Sequence, residues 1–215
     1  MTLRSLKNKK VLITCGPTWV PVDNVRVISN ISTGQLGQII AAHLNAQGAV
    51  VTLLEGPVRK PLSNGRIKVI KFLFFDELAK ALRQELRKKY DVLIHAAAVS
   101  DYRLKGKRSS KIRSDAANLQ LEFMPTPKLI SWIKKINKRI ILVGFKLEPG
   151  LTRANLFAKT KKLLNEAHCD FVVANRVHGQ DYSAYIVNAD RKVLAAAGSR
   201  QALTRALTRV LQENI

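Results

Sequence analysis

The stretch VLITCGPTWVPVDNVRVISNISTGQLGQIIAAHLNAQGAVVTLL (residues 11–54) decides the fold. Val11 to Cys15 is a short apolar run of the kind that forms a strand buried on both faces. A polar loop follows, from Gly16 to Ile31. Leu36, Ile39, Ile40 and Leu44 then recur at helical spacing, which predicts a helix from about Thr33 to Gln47 with Ser32 as its N-cap. Gly48 stops the helix, and Val50 to Leu54 is a second buried strand. Two parallel strands need a crossover connection, so strand, helix, strand is the unit of a parallel sheet.

The pattern continues along the chain. Ile67 to Phe72 reads as a third strand, Asp76 to Lys89 as a helix with Leu78, Leu82 and Leu86 on one face, and Asp91 to Ala96 (DVLIHA) as a fourth strand. Val99 to Asn118 is polar, basic and Ser-rich and predicts a mobile loop. Leu119 to Phe123 (LQLEF) alternates like an exposed-edge strand. Thr126-Pro127 predicts a helix start with Thr as cap and Pro at the first position. Ile140 to Phe145 and Asp170 to Ala174 are further buried strands, with a helix from Thr152 to His168 between them. Tyr182 to Val187 and Lys192 to Ala196 predict a hairpin, and Ser199 caps a last helix. The expected fold is α/β: a Rossmann-like, mostly parallel, doubly wound sheet with helices on both faces and a mobile active-site loop, residues 1–215 forming one domain. The loops after Cys15 and Ala98 fall at the C-terminal ends of their strands, where open α/β sheets bind ligands.

Composition narrows the function. The 215 residues hold 37 Lys plus Arg against 15 Asp plus Glu, a net charge of +22. Such a charge favours anionic ligands. The bases cluster at Lys7 to Lys10, Arg83 to Lys89, Arg103 to Arg113, Lys134 to Arg139 and Lys159 to Lys162; each cluster reads either as a solvated helix face or as an anion site. No zinc-finger spacing, basic zipper or aromatic RNA-binding signature is present, so specific nucleic-acid binding is not expected. The two cysteines, Cys15 and Cys169, are too few for a disulfide framework, which points to a reducing, cytoplasmic setting. No apolar run is long enough to span a membrane, and the basic N-terminus lacks a signal-peptide core.

Several constellations offer chemistry, each with a structural alternative. ISNISTGQLG (Ile28 to Gly37) brings glycines to a helix start, where backbone N–H groups hold phosphate or carboxylate, or where the glycines merely permit a tight turn and close helix–strand packing. HAAAVSD (His95 to Asp101) leaves backbone open to a ligand beyond a buried strand, or simply packs. Lys111, on the basic loop, is suited to neutralising charge on a phosphoryl group. Phe145, followed by Lys146 and Glu148, emerges at a strand end where a ring stacks on a base or sugar. Lys159 to Lys162 is a phosphate face or a solvated one.

Together these segments resemble phosphopantothenoylcysteine synthetase, a ligase of coenzyme A biosynthesis. The residues that carry the resemblance are GPTWVPVDNVRVISNISTGQLG (Gly16 to Gly37), HAAAVSDY (His95 to Tyr102), SKIRS (Ser110 to Ser114), PTPKLI (Pro125 to Ile130), LVGFKLE (Leu142 to Glu148) and DFVVAN (Asp170 to Asn175), in family order over nearly the whole chain. No decarboxylase domain accompanies them, so the free-standing form is expected. The resemblance implies that 4'-phosphopantothenate and L-cysteine are joined through an acyl-nucleotide intermediate, with CTP or ATP and Mg2+ consumed and pyrophosphate released, by a homodimer. It implies that Asn30 handles the intermediate and that Lys111 helps form it. It implies nucleotide contacts at Ala97, Ala98, Asp101, Pro127, Lys128, Leu129, Ile130, Phe145, Lys159 and Lys162. Ser32, Gly34 and Gly37 are expected to shape the phosphopantothenate side, and no protein-held metal is expected. The chain departs from the family pattern at Pro17, at Trp19 and Val20, and at Arg113, where a second lysine is common.

Two other classes compete. A nicotinamide-dependent reductase would use Thr33-Gly34, Gly37 and a ribose-binding acid at Glu55, but the first strand runs into a long polar loop instead of a G-x-G-x-x-G turn. A basic nucleic-acid-binding module would use the charge alone.

Overall fold

A computed structural model describes residues 3–106, 110–112, 118–179 and 181–215. The chain runs β1 (Lys10–Cys15), β2 (Trp19–Pro21), β3 (Val27–Ser29), α1 (Gln35–Ala46), β4 (Val50–Glu55), β5 (Lys68–Lys71), α2 (Phe75–Leu86), β6 (Val92–His95), β7 (Tyr102–Leu104), β8 (Phe123–Pro125), α3 (Ile130–Ile136), β9 (Ile141–Leu147), α4 (Leu156–Asn165), β10 (Phe171–His178), β11 (Asp181–Asn188), β12 (Val193–Ala197) and α5 (Arg200–Asn214).

Eight strands form one sheet in the order β12-β11-β10-β9-β6-β1-β4-β5. The strands from β5 across to β10 are parallel, and β11 and β12 add an antiparallel hairpin at one edge. Alternation along each strand sorts the core. Val11, Ile13, Val51, Leu53, Ile94 and Val143 pack with Ile40, Leu44, Leu203 and Leu207 of α1 and α5. Leu12, Leu54, Leu93, Leu142 and Val172 pack on the other face with Leu78, Leu82, Ile133, Leu156 and Leu164 of α2, α3 and α4. The doubly wound, mostly parallel expectation is met. The chain leaves β1 toward β4 and β5, then returns past β1 to place β6 on its other side. The switch point therefore lies between β1 and β6, and ligand crevices open above such points.

Local departures have local causes. The expected polar loop from Gly16 to Ile31 folds into the β2–β3 hairpin, with Trp19 opposite Ser29 and Pro21 opposite Val27. Its strands are too short to show an alternating pattern. Helix α1 starts at Gln35 with Gly34 as N-cap, not Ser32; Gly34 adopts φ 70, a left-handed conformation that favours glycine. The expected strand from Leu119 shrinks to β8, which pairs with β7 from within the expected loop. Thr126 does not cap a helix: its hydroxyl donates to Ser100 O at 2.6 Å and its N–H to Asp101 O at 2.9 Å, so α3 begins only at Ile130. The first turn expected of α4 is instead a Thr152–Asn155 turn closed by reciprocal side-chain bonds.

Candidate active site

The candidate site gathers where β1 and β6 end. Their pairing continues past the strands: Ala96 N–H donates to Thr14 O at 3.1 Å, Ala98 N–H to Gly16 O at 2.9 Å, and Thr18 N–H to Ala98 O at 3.3 Å. Beneath this ladder Thr14 Oγ1 accepts from Ala97 N–H at 3.2 Å and lies 2.9 Å from His95 Nδ1. With its lone pair taken by Ala97 N–H, the threonine hydroxyl is free to donate to Nδ1 of a neutral imidazole. Burial pushes the His95 pKa down to about 4, which keeps the ring neutral. Ser100 N–H then donates to Thr18 Oγ1 at 2.8 Å. Side chains under the alanine run thus hold its backbone in place.

Asn30 follows β3 and reaches across this run. Its Nδ2 donates to Ala98 O at 3.1 Å and Val99 O at 3.3 Å. The structure therefore joins two sequence-predicted residues, Asn30 and Ala98. Asp101 and Lys128 are joined as well, the carboxylate accepting from the ammonium at 2.6 Å on an exposed surface. Lys159 meets Glu148 at 3.0 Å, and Glu148 also takes Lys146 at 2.9 Å. Those lysines hold the Glu148 carboxyl below the usual carboxylate range.

Other predicted residues stand differently. Gly34 and Gly37 serve packing: a Cβ on Gly37 would collide with Cys15, and one on Gly34 would meet Val58 and crowd Gly16 N at 3.3 Å. The α1 N-terminus can therefore press against the end of β1. Ser32 is half-buried beside them. Leu129 is buried in the core, which leaves only its backbone for a ligand, while Pro127 is exposed and Ile130 half-buried. Phe145 packs partly against the α1–α5 side of the core. Lys162 pairs only distantly with Glu166 at 3.9 Å, on the exposed face of α4. Lys111 is exposed; Arg113 and Ser114 of the same motif lie outside the described residues.

Two carboxylates that had no expected role in this chemistry prove to be fully buried. Glu55, the ribose candidate of the reductase reading, accepts from Gln38 Nε2 at 2.7 Å, Leu62 N–H at 3.0 Å and Lys71. These partners occupy it, so that reading loses its acid. Asp23, in the β2–β3 turn, accepts from Val25 N–H at 2.8 Å, Arg26 N–H at 2.7 Å, Arg26 Nη1 at 2.8 Å and Ile112 N–H at 3.0 Å. The sequence signal for half of this was available: Asp with backbone donors two and three residues on is an Asx turn. Cys15 and Cys169 are both buried, which pushes each thiol up to about 12 and leaves them as small core residues.

A cavity of about 880 Å³ opens beside this region, between the β2–β3 hairpin, the start of α2 and β7. Trp19, Phe74, Phe75 and Tyr102 line it, and none of the sequence-predicted site residues does. Among the described residues no group of three His, Cys, Asp or Glu converges as a metal site.

The family model for the DNA/pantothenate metabolism flavoprotein C-terminal domain matches residues 6–213. The chain belongs to this family. The family's relatives include the coenzyme A biosynthesis bifunctional protein CoaBC of Thermococcus kodakarensis, 41% identical over 174 residues, which are 80% of this chain and 42% of the relative. CoaBC of Haemophilus influenzae is 34% identical over 194 residues, 89% of this chain and 46% of the relative. The chain thus spans about half the length of the curated relatives it matches. Among solved structures, the DNA/pantothenate metabolism flavoprotein from Streptococcus pneumoniae superposes with a TM-score of 0.86 at 27% identity, covering 96% of this chain and all of that one. A mutant Cab2 in complex with phosphopantothenate-cysteine shares the fold, with a TM-score of 0.75 at 19% identity over 97% of this chain and 90% of that one.

Proposed function

We propose that the chain acts as a single phosphopantothenate–cysteine ligase domain of coenzyme A biosynthesis. The observation that carries this is the clasp of Asn30 on the Ala98 and Val99 carbonyls at the β1–β6 switch point, with the Lys111 loop tied to the same hairpin. The family supports the reading, since its CoaBC relatives are named for coenzyme A biosynthesis.

In this reading the carboxylate of 4'-phosphopantothenate attacks the α-phosphate of CTP or ATP and pyrophosphate leaves. The amino group of L-cysteine then attacks the acyl carbon, and the nucleoside monophosphate leaves as the amide forms. Lys111 neutralises charge that develops on the α-phosphate. Asn30, fixed by its Nδ2 bonds, keeps its amide oxygen for the intermediate. Asp101 and Lys128, Pro127, Ile130 and the Leu129 backbone flank the nucleotide, with Phe145 beside it. Lys146, Lys159 and Glu148 form a charged group suited to the polyphosphate, while Lys162 stands farther out. Ser32, Gly34 and Gly37 shape the acceptor side. Mg2+ enters with the triphosphate as part of the substrate.

A second copy of the chain is the proposed partner. Val25, Val27, Ile28, Ile31, Tyr102, Phe123 and Met124 leave an exposed apolar surface on the hairpin and on the adjoining β7–β8 ribbon, Ile31 fully so. Such a patch marks an interaction site. No helix among the described residues is long and apolar enough to cross a membrane; the proposed cytoplasmic location rests on the two cysteines, both buried as free thiols. A direct test is available: protein mixed with 4'-phosphopantothenate, L-cysteine, Mg2+ and CTP or ATP is expected to yield the amide and nucleoside monophosphate by mass spectrometry. Absence of the amide with both nucleotides would overturn the ligase reading.

A further inference from the structure

The loop that carries Lys111 lacks a strand or helix at that point, yet the residue after the lysine is held at both of its backbone polar groups. Ile112 N–H donates to Asp23 Oδ2 at 3.0 Å, and Ile112 O accepts from Arg26 Nη1 at 3.2 Å. The same Nη1 donates to Asp23 Oδ2 at 2.8 Å, which closes the group into a ring of three residues. Asp23 Oδ1 is meanwhile committed to the turn, through Val25 N–H and Arg26 N–H. The Asp23 side chain has no solvent exposure, although the turn itself is at the surface. A bonded carboxylate sheltered this way holds its partners more tightly than an exposed one. Its two oxygens serve different ends. One shapes the hairpin, and the other reaches 89 residues along the chain.

The hairpin is also the element that presents Asn30. Arg26 and Asn30 are four residues apart on its second arm, a span of roughly 13 Å in extended chain. One arm therefore bears the loop grip at one end and the Asn30 clasp at the other. Resting on the ligase reading above, we propose that Asp23 is a positioning residue: with Arg26 it fixes the backbone of Ile112, next to Lys111, and so sets where the Lys111 ammonium stands relative to Asn30 and the reacting phosphate.

Asp23→Asn separates the two roles. The asparagine oxygen still accepts from Val25 and Arg26 N–H, so the turn survives. Its amide nitrogen would face the Ile112 N–H and the Arg26 guanidinium, donor against donor, so the grip is lost. The full chain is compared as wild type, Asp23→Asn and Arg26→Lys, by pyrophosphate release with 4'-phosphopantothenate and nucleotide, and by hydrogen exchange at the Ile112 amide. For Asp23→Asn, kcat is expected to fall about 10- to 100-fold while the nucleotide KM stays within about threefold, because misplacement costs rate more than binding. The Ile112 amide should exchange about tenfold faster or more as its acceptor is lost. Arg26→Lys, which keeps the charge but not the doubly placed Nη1, should fall in the same direction by less. Full kcat in Asp23→Asn, or a lost kcat with Ile112 exchange unchanged in both variants, would overturn the inference while leaving the ligase reading intact. A wild type that releases no pyrophosphate with either nucleotide would instead overturn the ligase reading and the inference with it.

Discussion

Asp23 and Glu55 are both carboxylates with no side-chain exposure, and each accepts several hydrogen bonds. Their partners differ. Glu55 binds Gln38, Leu62 and Lys71, all within 17 residues of it, and closes the loop that follows β4. Asp23 binds its own turn and then Ile112, on the far side of the sheet's central crossover in sequence. One carboxylate seals the scaffold beside the crevice. The other ties a surface hairpin to a loop that bears an expected catalytic group. A buried acid in this fold is therefore defined by what it holds, and burial alone does not tell function from structure.

The contrast between loop and scaffold is most exposed to failure at Lys111. Lys111→Gln should lower pyrophosphate release by about 10²–10³-fold, roughly 2.7–4 kcal/mol of transition-state stabilisation, with an unchanged urea midpoint. A rate within a few-fold of wild type would remove the loop from the chemistry. Glu55→Ala should do the reverse. It strands the Leu62 N–H, at about 1–3 kcal/mol for an unsatisfied sheltered group, while the Gln38 amide keeps its bond to Lys60 O at 2.8 Å and kcat at 25 °C stays within about twofold. The half-exposed Lys71 regains water, so its ion pair adds little to that loss.

His95 refines the scaffold side of the contrast through pH. Its folded pKa of about 4 lies below the ordinary 6.5, so the unfolded chain binds the extra proton between those values. The stabilisation from keeping the ring neutral is complete above 6.5 and is lost as pH falls toward 4. Wild type should lose stability on acidification through this window, by up to about 1.4 kcal/mol per pH unit from this group. His95→Gln should show a flatter profile in urea unfolding between pH 7 and 5; identical profiles would mean that the ring is not held neutral.

The smallest effects separate the α4 lysines. Lys159→Ala is expected to raise the nucleotide KM about tenfold, the loss of one charged hydrogen bond to phosphate. Lys162→Ala should change KM by less than about twofold and stability by under about 0.5 kcal/mol, because its pair with Glu166 is long and exposed. Equal KM effects would place both on the phosphates.

The buried strands were legible because a strand covered on both faces has only one composition open to it. VLITC, DVLIHA and IILVGF announce β1, β6 and β9 without any partner in view. The hairpin of β2 and β3 was not, since its arms have three residues each and are held by Asp23 more than by their own pattern. Helix starts slipped where a cap candidate had another use: Thr126 bonds to Ser100, and Ser32 yields to the left-handed Gly34. At the site, Asn30, Ala98 and Lys111 came through a family resemblance. The Asx turn at Asp23 was readable from the residues that follow it, whereas its bond to Ile112 was not, because no local pattern encodes a contact 89 residues away.

The proposed ligase rests on one chemical event: activation of a carboxylate by a nucleotide in the crevice, followed by its transfer to cysteine. The decisive measurement is pyrophosphate release by the purified wild-type chain with 4'-phosphopantothenate and Mg2+, comparing CTP with ATP and each with and without L-cysteine. Release is expected to depend on 4'-phosphopantothenate, to be stimulated by cysteine and to favour one nucleotide. Release that is absent with both nucleotides, or indifferent to 4'-phosphopantothenate, would contradict the ligase reading.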